Sequence, residues 1–101
     1  MGGVCVPAYP TNSAEETRYG IDHSGSKICF IGNEEQLEKL LTVKKRLRSL
    51  KTIVTFYDDH GRKGIHTLAD VIAAGKKSKK GKELDKRRQA IKGKDVATIV
   101  Y

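Results

Sequence analysis

Four short apolar runs, separated by stretches in which apolar residues recur every three or four positions, organise the chain. The first, Val4 to Ala8, is closed by Pro7, Pro10, Thr11 and Asn12 and reads as a buried strand followed by a turn. Ser13-Ala14-Glu15-Glu16 then has the form of a capping box, in which the Ser hydroxyl accepts an orphan backbone N–H and the Glu three residues on accepts another. Ala14, Thr17, Arg18 and Ile21 share one face of the helix this predicts, and Gly25 is placed to end it in the left-handed conformation. Lys27 to Gly32 is a second strand. Its lack of polar alternation suits a strand covered on both faces.

Asn33 with Gln36 repeats the capping signature, and Leu37, Leu40, Leu41, Leu47 and Leu50 recur at roughly helical spacing among charged residues. Lys51 to Tyr57 reads as a third strand, closed by the turn formers Asp58-Asp59-His60-Gly61. Thr67-Leu68-Ala69-Asp70 opens another capped helix, with Leu68, Val71 and Ile72 inward and Gly75 as its stop. A basic stretch follows, expected as a loop and then a helix through Leu84 and Ile91, and Asp95 to Tyr101 is a last strand. The alternating order predicts an α/β fold, a parallel sheet of about four strands with right-handed helical crossovers.

Residues 1–101 read as one domain-sized unit, with residues 76–94 as a basic surface insertion within it. Both terminal runs are apolar and predicted to lie in the buried sheet, where a free-standing domain rarely stops. In open parallel sheets ligands bind beyond the carboxyl ends of strands. The expectation is a piece of a larger α/β enzyme, with its ligand-binding loop just past Tyr101.

Charge sharpens this picture. Twenty Lys and Arg against twelve Asp and Glu give +8. All of that excess falls between Lys76 and Lys94, where Lys76, Lys77, Lys79, Lys80, Lys82, Lys86, Arg87, Arg88, Lys92 and Lys94 face only Glu83 and Asp85. The rest of the chain is neutral. A localised segment argues less for a nucleic-acid-binding surface than a basic protein would, and the segment has no aromatic residue on which bases could stack. A solvated surface, attraction to phosphate or to a peripheral membrane contact, and nucleic-acid binding are its three readings, in that order.

Cys5 and Cys29 sit inside apolar runs with no second Cys or His at metal-ligand spacing, which predicts buried free thiols. No run reaches the roughly 20 apolar residues of a membrane span, and the first residues lack the charged and apolar regions of a secretory signal, so a soluble, cytoplasmic chain is expected. Asp58-Asp59-His60 could form an acidic metal or phospho-acceptor pocket, but the acids that such a pocket needs on a second strand end are missing, and a polar turn is favoured. His23, His60 and His66 show no zinc-protease spacing, and Ser24, Ser26 and Ser49 lack a nucleophile elbow. Gly2-Gly3 precedes a strand, and Gly61 and Gly64 flank Arg62 and Lys63 with no helix start directly behind them, so neither is a phosphate loop. No catalytic residue and no metal ligand is expected within these residues.

Gly3 to Thr11, then Ser13-Ala14-Glu15-Glu16 with Arg18-Tyr19, then Ser24-Gly25-Ser26-Lys27 before an apolar strand, closely resemble the N-terminal region of long-chain fatty acyl-CoA synthetases, of the adenylate-forming superfamily. Asn33-Glu34-Glu35-Gln36-Leu37, the strand Ile53 to Tyr57, the Thr67-Leu68-Ala69-Asp70 helix and Asp95 to Tyr101 continue the resemblance in order. It covers nearly the whole chain, most loosely from Lys76 to Ile91. Gly20 departs from it, since similar proteins carry a bulky apolar residue there, and mid-helix Gly costs about 1 kcal/mol relative to Ala.

The resemblance implies a subdomain of the N-terminal domain of an ATP-dependent fatty acid–CoA ligase. Such an enzyme joins a fatty acid to AMP with release of pyrophosphate, using ATP and Mg²⁺, and then passes the acyl group to the thiol of coenzyme A. Tyr101 matches the residue that opens the nucleotide loop, which makes it the one cofactor-binding residue carried over; the chain alone is then inactive scaffold. Its partners would be those of the parent: fatty acid, ATP and CoA, with no specific nucleic acid. The uncovered terminal strands predict self-association. Two rivals remain at this point, a small basic α/β nucleic-acid-binding module and a flavodoxin- or receiver-like signalling domain.

Overall fold

Helix α1 (Ala14–Ser24) forms where the capping box predicts it. The Ser13 hydroxyl accepts the Glu16 N–H at 3.2 Å and the Glu16 carboxylate accepts the Ser13 N–H at 2.7 Å. Gly25 ends the helix at φ 71°, a conformation that costs a residue with a Cβ about 1–2 kcal/mol. The computed structural model describes residues 2–58 and 61–101, and Asp59 and His60 of the predicted turn lie outside the described residues. Strand β1 (Ile28–Ile31) follows, then α2 (Glu34–Val43), capped by the Asn33 carboxamide on the Gln36 N–H at 3.0 Å. A 3-10 turn at Lys44–Arg46 leads to β2 (Thr52–Thr55), β3 (Ile65–Thr67), α3 (Leu68–Lys77) and α4 (Gly81–Ala90).

The three strands form one parallel sheet in the order β1-β2-β3, with Cys29 opposite Ile53 and Ile53 opposite Ile65. Ile31, Ile53 and Ile65 meet Ile21 of α1 and Leu37 and Leu40 of α2 in a single buried cluster. Each such side chain contributes about 1.5–3 kcal/mol by leaving water. The buried Thr55 hydroxyl donates to the Tyr57 carbonyl at 2.7 Å, so it carries no desolvation penalty. Lys39 Nζ donates to the Pro10 and Asn12 carbonyls at 2.8 and 2.7 Å and pins the leading loop to α2.

Where the architecture departs from the sequence reading, local chemistry explains it. The terminal runs Val4 to Ala8 and Asp95 to Tyr101 do not form buried strands; they meet in one isolated parallel bridge, Cys5 with Thr98, and Val96 and Val100 are each 62% exposed. Pro7 and Pro10 lack ladder donors, and the Asp95 carboxylate accepts the Lys92 N–H at 2.8 Å, which draws the first residue of the expected last strand into a turn. The sheet accordingly has three strands, and its third, β3, is one the apolar pattern missed: three residues with His66 at the centre are too short to register.

Among the described residues no helix lies between β2 and β3. Helix α3 runs through Gly75 to Lys77, and Val71 and Ile72 are exposed instead of facing inward; Leu68 alone of the three is half-buried. Leu47 and Leu50 lie beyond α2, yet they pack partly buried against the core. In β1 the residues alternate, with Ile28 and Phe30 outward and Ile31 inward, so only one sheet face is covered. Cys5 is exposed rather than buried. Cys29 is half-buried, and burial pushes its thiol pKa up.

Candidate functional site

Tyr101 lies against the last turn of α1. Its hydroxyl is 2.6 Å from Nδ1 of His23, and its ring meets the His23 and Tyr19 rings edge-on at 5.6 and 6.0 Å. Tyr19 in turn stacks on His23 at 5.2 Å, the one-turn spacing of positions 19 and 23 on a helix. The Gly25 stop fixes this turn, and Asp22 anchors it to the core side by accepting the Arg48 and Ser49 N–H groups at 2.9 and 3.4 Å. Those bonds, the Arg48 one foremost, hold the Asp22 carboxyl below its ordinary range. Sequence reasoning singled out Tyr101 but neither of the aromatic residues that hold it. The four-residue spacing of Tyr19 and His23 was the available signal.

A second feature has the position that parallel sheets reserve for ligands. A cleft of about 460 Å³ opens beyond the carboxyl ends of β2 and β3, lined by Phe56, Tyr57, Asp58, Gly61, Arg62, Ile65 and the first residues of α3. Thr67 and Asp70 bond each other's backbone N–H at 3.1 Å, and the Thr67 bonds hold the Asp70 carboxyl low. Arg62 turns to α2, donating to Glu38 at 2.8 Å and lying 3.9 Å from Glu34. Tyr101 does not line this cleft.

The basic segment is a separate surface. All of its residues are exposed, and only Arg87 and Arg88 form ion pairs, with Glu83 at 3.1 Å and Asp85 at 3.6 Å. Among the described residues no three of His, Cys, Asp and Glu cluster as metal ligands, and no helix is long and apolar enough to cross a membrane.

Comparison with known proteins places the chain in a family. The model of the AMP-binding enzyme family matches residues 1–101, the whole of the chain. The chain belongs to the AMP-binding enzyme family. Among curated relatives of this family member, the long-chain-fatty-acid–CoA ligase ACSBG2 of Xenopus laevis is 30% identical over 102 aligned positions, covering 99% of the chain and 14% of the relative. The ligase of the same name from Homo sapiens is 41% identical over 56 positions, 54% of the chain and 8% of the relative. The long-chain-fatty-acid–CoA ligase heimdall of Drosophila melanogaster is 32% identical over 56 positions, again 8% of its length. The chain therefore spans a small part of the relatives it matches. No solved structure matches it. None of these relatives is named for nucleic-acid binding, and the basic nucleic-acid module finds no support among them.

Proposed function

We propose that these residues are a scaffold segment of a long-chain fatty acid–CoA ligase, an enzyme that activates a fatty acid with ATP and transfers it to coenzyme A. One observation carries the reading: the similarity to the Xenopus ligase runs through 99% of the chain, and the family model matches the same residues. Within that enzyme the segment supplies the small parallel sheet and its covering helices, and Tyr101 leads into the nucleotide-binding motif, held by His23 and Tyr19.

Among the described residues no three of His, Cys, Asp and Glu come together as metal ligands. Tyr101 already spends its hydroxyl on His23, and of the charged groups lining the cleft Asp70 is committed to a helix cap and Arg62 to Glu38. No chemical step is assigned to them. In this reading the phosphate and metal ligands come from other parts of a ligase.

The test is to express the complete reading frame that contains this segment and to measure fatty-acid-dependent release of pyrophosphate and formation of the CoA thioester, beside residues 1–101 alone. Turnover by the complete product and none by the 101 residues is the expected result. Absence of acid-dependent turnover in the complete product, across short, medium and long acyl chains, would overturn the reading.

A further inference from the structure

Helix α4 is folded but unclaimed. Every residue from Ala69 onward is exposed, and the hydrogen bonds and ion pairs of α4 stay within its own stretch. Gly2 borders a shallow hollow with Arg87, Ala90 and Ile91, and a helix polar on most sides and otherwise so little covered owes its position to solvent or to an outside partner.

Its residues are sorted by face. Leu84 in α4 and Ile91, the residue that caps its C-terminal end, are 41% and 49% exposed, with Lys80, Arg87 and Arg88 three or four positions from one or both of them. Glu83 and Asp85 flank Leu84, while Lys82 and Lys86 lie on the far side of the helix. Among the described residues, Lys76, Lys77, Lys79, Lys80, Lys82 and Lys86 form no ion pair, and the pairs that engage Arg87 and Arg88 are open to water and weak.

We propose that the α4 face centred on Leu84 and Ile91 and ringed by Lys80, Arg87 and Arg88 docks on the anionic headgroup layer of a phospholipid membrane. Charge complementarity selects an anionic partner, and the apolar centre selects the kind. Nucleic-acid phosphates reward the cations alone and leave Leu84 and Ile91 in water, and no aromatic residue is present for bases to stack on. A headgroup layer satisfies both features, since leucine and isoleucine enter the acyl boundary while the long cationic side chains reach outward to lipid phosphates. The helix is too short and polar to cross the bilayer, so the contact is peripheral. The inference stands independently of the ligase reading.

Flotation of residues 1–101 with vesicles of phosphatidylcholine, with and without one-third phosphatidylserine, tests it. Binding is expected only to the anionic vesicles and should weaken as salt rises. Each basic residue at such a surface adds about 1 kcal/mol, so Arg87→Gln with Arg88→Gln should lower partitioning about 30-fold. Lys82→Gln with Lys86→Gln, the same charge removed from the far side, should lower it less than about threefold if one face is docked. Leu84→Ser with Ile91→Ser should lower it about tenfold, while affinity for a short duplex DNA stays unchanged. Far-UV circular dichroism checks that each variant keeps its helices, and the salt response of the unaltered chain requires no variant. Equal losses from the two charge pairs, no loss from the serine pair, or displacement from vesicles by duplex DNA at matched phosphate concentration would each overturn the proposal.

Discussion

The Tyr101 hydroxyl and His23 Nδ1, 78 positions apart in sequence, lie 2.6 Å apart and tie the end of the chain to the last turn of α1. Among the described residues the only backbone ladder near that end is the Cys5–Thr98 bridge, closed by Cys5 N–H to the Ala97 carbonyl at 2.9 Å and Ile99 N–H to the Cys5 carbonyl at 3.0 Å. Tyr101→Phe keeps the ring contacts and loses the hydrogen bond, which for a solvent-exposed pair is worth about 1 kcal/mol or less. Amide exchange at Ile99 should therefore quicken while that at Ile53 is unchanged. Equal protection of Ile99 in both chains would show that the side-chain contact does not hold this end.

Core and surface substitutions should separate sharply. Leu40 is buried between α2 and the sheet, and Leu40→Ala should cost about 2–5 kcal/mol through lost transfer energy and a residual cavity. Ile72, which the apolar pattern placed inward, is exposed, so Ile72→Ala should stay within about 0.5 kcal/mol. Urea denaturation of the two variants decides between the observed packing and the pattern-based one.

The contrast shows what was legible in the sequence. Local signals were strong where one residue type has one physical reason to be present: Ser13 with Glu16, Asn33 with Gln36, Thr67 with Asp70 and Gly25 each mark the helix end they form. Apolar runs alone could not say which neighbours exist. Val4 to Ala8 and Val96 to Val100 look like core strands, yet nothing in the described residues covers them; β3, with His66 between two apolar-facing positions, looks like loop and pairs with β2. Tyr101 was found through resemblance, whereas its partner His23 became visible only when the fold brought the two together.

Acid should unfold the chain through its bonded carboxylates. Asp22 is held below its ordinary pKa chiefly by the Arg48 N–H, Asp70 by Thr67, and Glu15 by Arg46 and then Arg18. A depressed folded-state pKa stabilises the fold above the unfolded value, and that stability is lost as pH falls through the folded one. Unfolded carboxyls titrate near about 4, so melting temperature should hold steady at higher pH and drop below about pH 4. Asp22→Asn keeps an acceptor oxygen but removes the charge, and it should flatten part of that drop; an unchanged acid limb would exclude Asp22 as a contributor.

The two thiols should differ in reactivity. Cys5 is exposed, whereas Cys29 is half-buried against the core with its pKa raised by burial, so less of it is thiolate near neutral pH. Brief treatment with iodoacetamide should label Cys5 first, and Cys29 should follow at a comparable rate only in denaturant. Mass spectrometry of the peptides reads this directly, and equal labelling in the native chain would contradict the burial of Cys29.

One face of the sheet should drive self-association. Ile28 and Phe30 point outward from β1, and Phe30 stacks on Phe56 with ring centroids 5.7 Å apart, so that two aromatic rings, 53% and 56% exposed, sit side by side in water. Covering an apolar side chain of this size is worth about 1.5–3 kcal/mol, and a two-fold contact uses each residue twice. Four rings and two isoleucines meeting across such an axis would offset much of the roughly 4–15 kcal/mol that association costs. A concentration-dependent dimer is expected by sedimentation velocity, at low and high salt alike, because the contact is apolar. Phe30→Ser with Phe56→Ser removes the stacked pair from a solvent-facing position and should leave the buried cluster of Ile31, Leu37, Leu40 and Ile53 folded while shifting the equilibrium to monomer. A monomer at every accessible concentration, or a dimer that survives the double substitution, would show that the exposed rings are not what joins two chains.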